Sequence, residues 1–363
     1  MARASKYLKD NPMSFLLLVF PVVILAELVH WPPMVIFILS AIAIIPLAGY
    51  IGESTESLAH YTGPRLGGLL NATLGNAAEL IITIVAIREG LLELVKASIT
   101  GSILGNLLLV LGMSMLLGGL RHGHQAFDRR QASSNAILLV LSVIILLIPS
   151  LLSHYIGHVE PPDDKVETLS LGVAGVMIVL YALGLIFSYK MTKTPLTPEP
   201  PEETALPHKA WPLRVALVIL AMSTVGVAYM SEVLVGVVDP VVKALGISEF
   251  FLGIIFIPII GNVAEHLVAV QVAVKNKMTL SVEIAVASSL QIALFVAPAL
   301  VFISLLMGQR LTLVFNQLEL LALIAGVLIA ALVSADGESN WLEGAELLAI
   351  YIILGLAFFL LPL

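Results

Sequence analysis

The chain contains no cysteine, so disulfides and thiolate-bound metals are excluded and cysteine usage carries no information about redox compartment. Charge is scarce too. Only 12% of the 363 residues are Asp, Glu, Lys or Arg, against 59% hydrophobic, where a soluble domain carries roughly 45 to 50% apolar residues. The net charge of −7 gives no sign of nucleic-acid binding. Neither an HExxH zinc motif nor a serine nucleophile elbow occurs, which leaves an intramembrane hydrolase without its usual machinery. No organic cofactor is expected. Such a chain needs lipid as its partner.

What the chain has is long apolar runs separated by short charged stretches, the signature of repeated membrane crossing. At about 17 to 25 residues per span, helices are expected at roughly 13–29, 33–58, 66–87, 92–118 and 133–152. Six more are expected at roughly 166–189, 211–236, 247–274, 279–306, 318–335 and 341–362. Arg3, Lys6 and Lys9 precede the first run as they would in a signal peptide, but no convincing small-residue cleavage site follows, so the run reads as a retained first helix. The expected fold class is an all-α integral membrane protein of about 11 transmembrane helices. Of the 18 Lys and Arg, 13 lie at the N-terminus and in every second connection after it, and 5 lie opposite. By the positive-inside rule the N-terminus is cytoplasmic and the C-terminus outside or lumenal.

Between the sixth and seventh expected helices, six prolines from Pro195 to Pro212 and the acidic pair Glu202 and Glu203 make a segment that resists helix and strand alike. The chain divides into an N-terminal segment and first helix (1–32), a first set of five helices (33–189), a proline-rich cytoplasmic linker (190–210) and a second set of five (211–363).

The two sets repeat each other. Gly75-Asn76-Ala77-Ala78-Glu79 recurs as Gly261-Asn262-Val263-Ala264-Glu265, an offset of 186 residues that also aligns Ser102 with Ser288 and Gly105 with Gln291. A shorter offset of 179 aligns Tyr50 and Glu53 with Tyr229 and Glu232. Corresponding helices are five spans apart, so they cross the bilayer in opposite directions and the repeat is inverted. In secondary transporters of this architecture the substrate sits near the midplane, where the repeats meet.

The residue types suit that place. Asn76 and Glu79 share a helical face with Ala72 and Thr83, and the neighbouring glycine and alanines let another helix approach. Pro258 lacks an N–H, so a carbonyl near Ile254 is expected to be free to face a cavity. Glu53, Glu56, Glu79, Glu232 and Glu265 fall within expected spans with no basic partner in sequence reach. An ionised carboxylate at that depth is costly unless protonated, solvated or bound to a cation, and an antiporter alternates between such states. Carboxylates, amides and carbonyls make a hard-cation site, and about six to eight such oxygens favour calcium over magnesium.

The paired motifs GNAAE and GNVAEH, followed by SITGSILGNLLLVLG and ASSLQIALFVAP, resemble the CAX family of calcium/proton exchangers over about residues 40 to 360. The resemblance implies a secondary antiporter that exchanges Ca²⁺ for H⁺, with Ca²⁺ as the transported ion. It implies that Glu79 and Glu265 bind the metal, assisted by Asn76, Asn262 and backbone oxygens, with Asn106 and Gln291 beside them. The halves are not identical at that layer, because Asn106 aligns with Ile292 and Gln291 with Gly105. A prokaryotic cell membrane is the expected location, or a vacuolar membrane in a eukaryote, and a homo-oligomer stays open.

Plainer roles compete at each position. Glu79 and Glu265 would serve structurally as protonated acids bonded to a neighbouring helix, but their duplication favours the cation site. Asn76 and Asn262 would otherwise be interhelical hydrogen-bond donors, and Ser102 and Ser288 small packing residues rather than lining groups. Glu53 and Glu232 lie near opposite mouths, where a cation-access or proton-pathway role competes with snorkelling to the interface. His266, the one histidine well inside an expected span, is either a buried neutral imidazole or a proton handler. Sodium coupling in place of protons, or a membrane scaffold, are the alternative functions.

Overall fold

The computed structural model describes residues 12–156, 164–190 and 210–361. The N-terminal basic residues and the proline-rich linker, with the expectations placed on them, lie outside the described residues. A 3-10 stretch, Pro12–Leu18, leads into α1 (Val19–Leu28). A helical run α2 (Pro33–Leu74) is followed by α3 (Ala77–Arg88), α4 (Leu92–His122), α5 (Arg129–Ile156) and α6 (Asp164–Lys190). The second set comprises α7 (Leu213–Gly236), a short helix Val238–Leu245, α8 (Glu249–Val274), α9 (Met278–Leu306), α10 (Gln317–Val333) and α11 (Trp341–Phe359). Helices suit these runs because lipid offers no hydrogen-bond partner to the backbone, so every N–H and C=O must be satisfied within the segment. Where α10 and α11 begin, Asn316 with Glu319 and Asn340 with Glu343 form reciprocal capping boxes that occupy the first unpaired N–H groups.

Among the described residues, eight helices are long and apolar enough to cross a membrane, and two shorter apolar ones, Phe15–Leu28 and Gln317–Val333, match further expected spans. The remaining crossing is the one around Glu79. Expected helices over 33–58 and 66–87 instead share the run α2, which continues to Leu74. The chain nonetheless doubles back inside it. A Cβ on Gly67 would lie 2.9 Å from the Cα of Ala59, whereas eight residues of straight helix separate two positions by about 12 Å. The third crossing therefore starts within α2 and is completed by α3, whose 12 residues reach only about 18 Å. Its break falls at Gly75-Asn76.

Among the described residues this gives eleven crossings, and contacts between distant loops agree on which ends share a face. On one face, β1 (Gln125–Ala126, after α4) pairs antiparallel with β2 (Glu338–Ser339, after α10), and Gln125 Nε2 donates to the carbonyl of Ala273 at the end of α8. On the other face, Arg310 after α9 pairs with Asp164 at the start of α6. There too Glu249 at the start of α8 accepts from the N–H of Leu94 at the start of α4. A chain alternating direction at each of eleven spans places all these ends as observed, and helices five apart run oppositely.

The best-buried long helices are α4 and α9, which hold Ser102 and Ser288. Each contains a π-helical segment, Gly105–Val110 in α4 and Ile292–Val296 in α9, and at the 186-residue offset positions 106–110 fall on 292–296. A third, Leu252–Phe256, precedes Pro258 in α8. Such segments place one extra residue in a turn and are frequent at functional sites.

Candidate cation site

The chain reaches the centre of the fold at the Gly75-Asn76 break. Asn76 caps α3 with φ −94° and ψ 22° and makes no capping bond with its own side chain, so its amide is available to the opposite half. Its Nδ2 donates to Oε1 of Gln291 at 3.0 Å, and its Oδ1 accepts from Ser288 Oγ at 3.3 Å. Glu79 follows in the first turn of α3, almost wholly buried, where the helix dipole favours a negative charge. Gly261 of α8 packs directly on it: a Cβ at Gly261 would sit 3.3 Å from the Glu79 Cβ.

Two residues hold the Glu79 carboxyl. Ser102 Oγ donates to Oε1, and Asn262 Nδ2 lies 3.4 Å from Oε2. The same Nδ2 lies 3.4 Å from Ser102 Oγ and 3.1 Å from the carbonyl of Pro258. The pattern is crosswise, since Asn262 of the second half serves Ser102 of the first, while Asn76 of the first serves Ser288 of the second. Glu265 stands one turn beyond Asn262 on α8, partly buried, with Ser288 within its reach. Its Oε2 is buried with no hydrogen-bond partner among the described residues.

The remaining expected site residues separate into layers. Gln291 joins the site through Asn76, whereas Asn106, on the π segment of α4, pairs through Oδ1 with His266 Nε2 at 3.1 Å and leaves its buried Nδ2 without a partner among the described residues. Glu53 is partly buried and Glu56 exposed. Glu232 departs from expectation, because Arg88 Nη1 lies 2.7 Å from its Oε1. These residues are 144 positions apart, and only the packing of α3 beside α7 gives the acid a basic partner. The carbonyl of Ile254 faces no cavity either: it abuts Gly101 of α4 so closely that a Cβ there would overlap it.

One buried acid escaped the sequence reading. Glu319, almost wholly inaccessible, completes the capping box of α10 and accepts from Thr100 Oγ1 at 3.3 Å. Its signal was the Asn316-x-x-Glu319 spacing, a helix-start pattern. Among the described residues no three His, Asp or Glu side chains gather as a metal cluster. The donors that do converge are carboxylate, amide and hydroxyl oxygens, a set suited to a hard cation that keeps part of its shell from backbone or water.

The family model described as sodium/calcium exchanger protein matches residues 32–190 and 215–360. A protein of Aphanothece halophytica named Ca(2+)/H(+) antiporter is 46% identical, covering 98% of this chain and 98% of its own length. The Ca(2+)/H(+) antiporter ChaA of Bacillus subtilis is 45% identical, covering 94% of this chain and 96% of its own. The solved structure of native YfkE is 42% identical and superposes with a TM-score of 0.83 over 96% of this chain and all of that one. The H+/Ca2+ exchanger CAX, at 14% identity and a TM-score of 0.74 over 96% of this chain and 92% of that one, shares the fold. With a family model matching both halves and relatives of this identity over nearly its whole length, the chain belongs to the sodium/calcium exchanger family of membrane proteins.

Proposed function

We propose that this chain exchanges Ca²⁺, or a similar divalent cation, for protons by alternating access, with cation and protons competing for Glu79 and Glu265. One observation carries the reading: the almost wholly buried Glu79 and the partly buried Glu265, whose Oε2 is enclosed without a hydrogen-bond partner, hold the same position in the two repeats, and neither enters an ion pair among the described residues. An uncompensated buried charge costs several kcal/mol, and two like charges together cost more. A divalent cation between them removes both costs, and so do about two protons. Exclusive occupancy of one site then couples the two fluxes without a separate proton path.

Asn76, Asn262, Ser102, Ser288 and Gln291 orient the carboxylates and add neutral oxygens, while the Asn106–His266 pair lines the neighbouring layer. The repeat units are 33–189 and 211–363, joined by the 190–210 linker after an N-terminal extra helix. The N-terminus and the face bearing β1 and β2 are cytoplasmic, as the 13 to 5 distribution of basic residues indicates. The names of the relatives, Ca(2+)/H(+) antiporters in bacteria and vacuolar cation/proton exchangers in Oryza sativa, support proton over sodium coupling and a cell or vacuolar membrane as the location. The test is Ca²⁺ flux in proteoliposomes: uptake driven by a proton gradient and indifferent to a sodium gradient is expected. Uptake that follows sodium alone would replace the proposal with Na⁺/Ca²⁺ exchange.

A further inference from the structure

The Arg88–Glu232 contact does more than neutralise two charges. Arg88 is the last residue of α3, the helix that begins beside Glu79, and Glu232 lies near the end of α7, so the 2.7 Å pair ties one half to the other across the outer mouth. Both side chains are about half exposed, and Arg88 Nε also lies 3.2 Å from Glu89. The repeat maps Glu232 onto Glu53 at the inner end of the span beginning at Pro33, and maps Arg88 onto Val274, with Lys275 the next residue. Lys275 is exposed at the inner end of α8 and enters no ion pair among the described residues.

In an inverted repeat, the inner mouth of one state is built like the outer mouth of the other, because the halves exchange conformations. Building on the antiporter reading above, we propose that Arg88 and Lys275 are state-selecting residues. Arg88 clasps Glu232 and holds the outer mouth shut in the state seen here, and Lys275 clasps Glu53 to shut the inner mouth in the opposite state. The clasp also withdraws a mouth acid. Glu232 engaged by Arg88 is unavailable to a cation arriving from outside, and release of Arg88 opens the passage and exposes the acid together. An exposed pair contributes little energy, and that suits a latch which must open in every cycle.

The absence of native cysteine permits a direct test that needs no ion movement. Thr83→Cys places a thiol one turn outward of Glu79 on α3, and its labelling from outside by a membrane-impermeant maleimide in intact cells reports outer opening. Val235→Cys on α7 serves as a second reporter if the first fails to fold. Arg88→Gln should raise the labelling rate about two- to fivefold, the population shift that loss of an exposed pair permits. The exchanged pair Arg88→Glu with Glu232→Arg should restore the original rate. Lys275→Gln should lower it, and Lys275→Glu with Glu53→Lys should reverse that fall. An unchanged rate in Arg88→Gln, no restoration by either exchange, or a rise in Lys275→Gln overturns the latch. Because labelling is independent of which ions move, a flux result against proton coupling leaves this readout intact, and the two proposals fail separately.

Discussion

Gly101 and Gly105 lie one turn apart on α4 and should respond oppositely to alanine. A Cβ on Gly101 would overlap the carbonyl oxygen of Ile254 and sit 2.8 Å from Pro258 Cγ. Relief of the proline contact alone, to an ordinary separation of about 3.5 Å, moves α4 and α8 apart by about 0.7 Å. The Asn262 amide lies 3.4 Å from Ser102 on α4, at the far limit of a hydrogen bond, so that separation breaks this contact between the two helices. Overpacking costs about 1 to 3 kcal/mol of stability. Loss of this hydrogen bond, worth about 0.5 to 1.5 kcal/mol, loosens Ser102 and weakens apparent Ca²⁺ affinity by roughly two- to tenfold. At Gly105 nothing lies within 4 Å of an added Cβ, and removing a helical glycine gains about 0.5 to 1 kcal/mol. Thermal unfolding of the purified variants with Ca²⁺ uptake in proteoliposomes should show Gly101→Ala less stable and weak-binding, and Gly105→Ala near normal in both. Equal losses in the two variants, or normal affinity in Gly101→Ala, would refute the claim that this helix contact sets the site.

Glu79→Gln and Glu265→Gln should each abolish exchange in a protein that still folds, while Asn76→Ala should be milder; near-normal flux in either glutamine variant removes the proposed carboxylates. Apparent Ca²⁺ affinity should rise with pH, because the cation binds the deprotonated pair, and calorimetry in two buffers of different ionisation enthalpy should detect proton release on binding. No release from acid to mildly alkaline pH argues for a proton path remote from the cation. Cysteines at His124 and Asp239, both exposed, should label from the cytoplasmic and outer sides respectively, and labelling of both from one side contradicts the proposed orientation. Glu319→Ala should lower the melting temperature by the loss of a helix cap, about 0.5 to 2 kcal/mol, and leave the cation dependence of flux unchanged.

Periodic or duplicated features were legible in the sequence. Apolar run lengths located the helices, and the recurrence of Gly-Asn-x-Ala-Glu marked the two residues around which the centre is built. Features that depend on which helices pack together were not. Nothing near Glu232 in sequence points to Arg88, and the proline rule identified a freed carbonyl near Ile254 without revealing that Gly101 would close over it. The break at Gly75-Asn76 had a local signal in two successive poor helix formers, but the apolar run continues through it, and the structure bonds the Asn76 side chain to the opposite half. Asn106 was expected beside the carboxylates, yet its alignment with Ile292 already separated the two halves at that layer, and the structure pairs it with His266.

The crosswise pairing of each asparagine with the serine of the other repeat means that neither repeat owns a finished site. A first half on its own would carry Glu79 and Ser102 without the amide that bridges them, and a second half would carry Ser288 without Asn76. The centre of the molecule is thus an interface in the sense used for subunits, between two antiparallel partners that happen to share one chain. Severing the chain within the linker and producing the pieces together should leave such an interface able to form, whereas two copies of either half would meet with one motif duplicated and the other missing. Joining inverted partners in one chain also leaves each half free to differ, and the pairing of Gly105 in one repeat with Gln291 in the other, where Gln291 bonds to Asn76, is such a difference at the site itself.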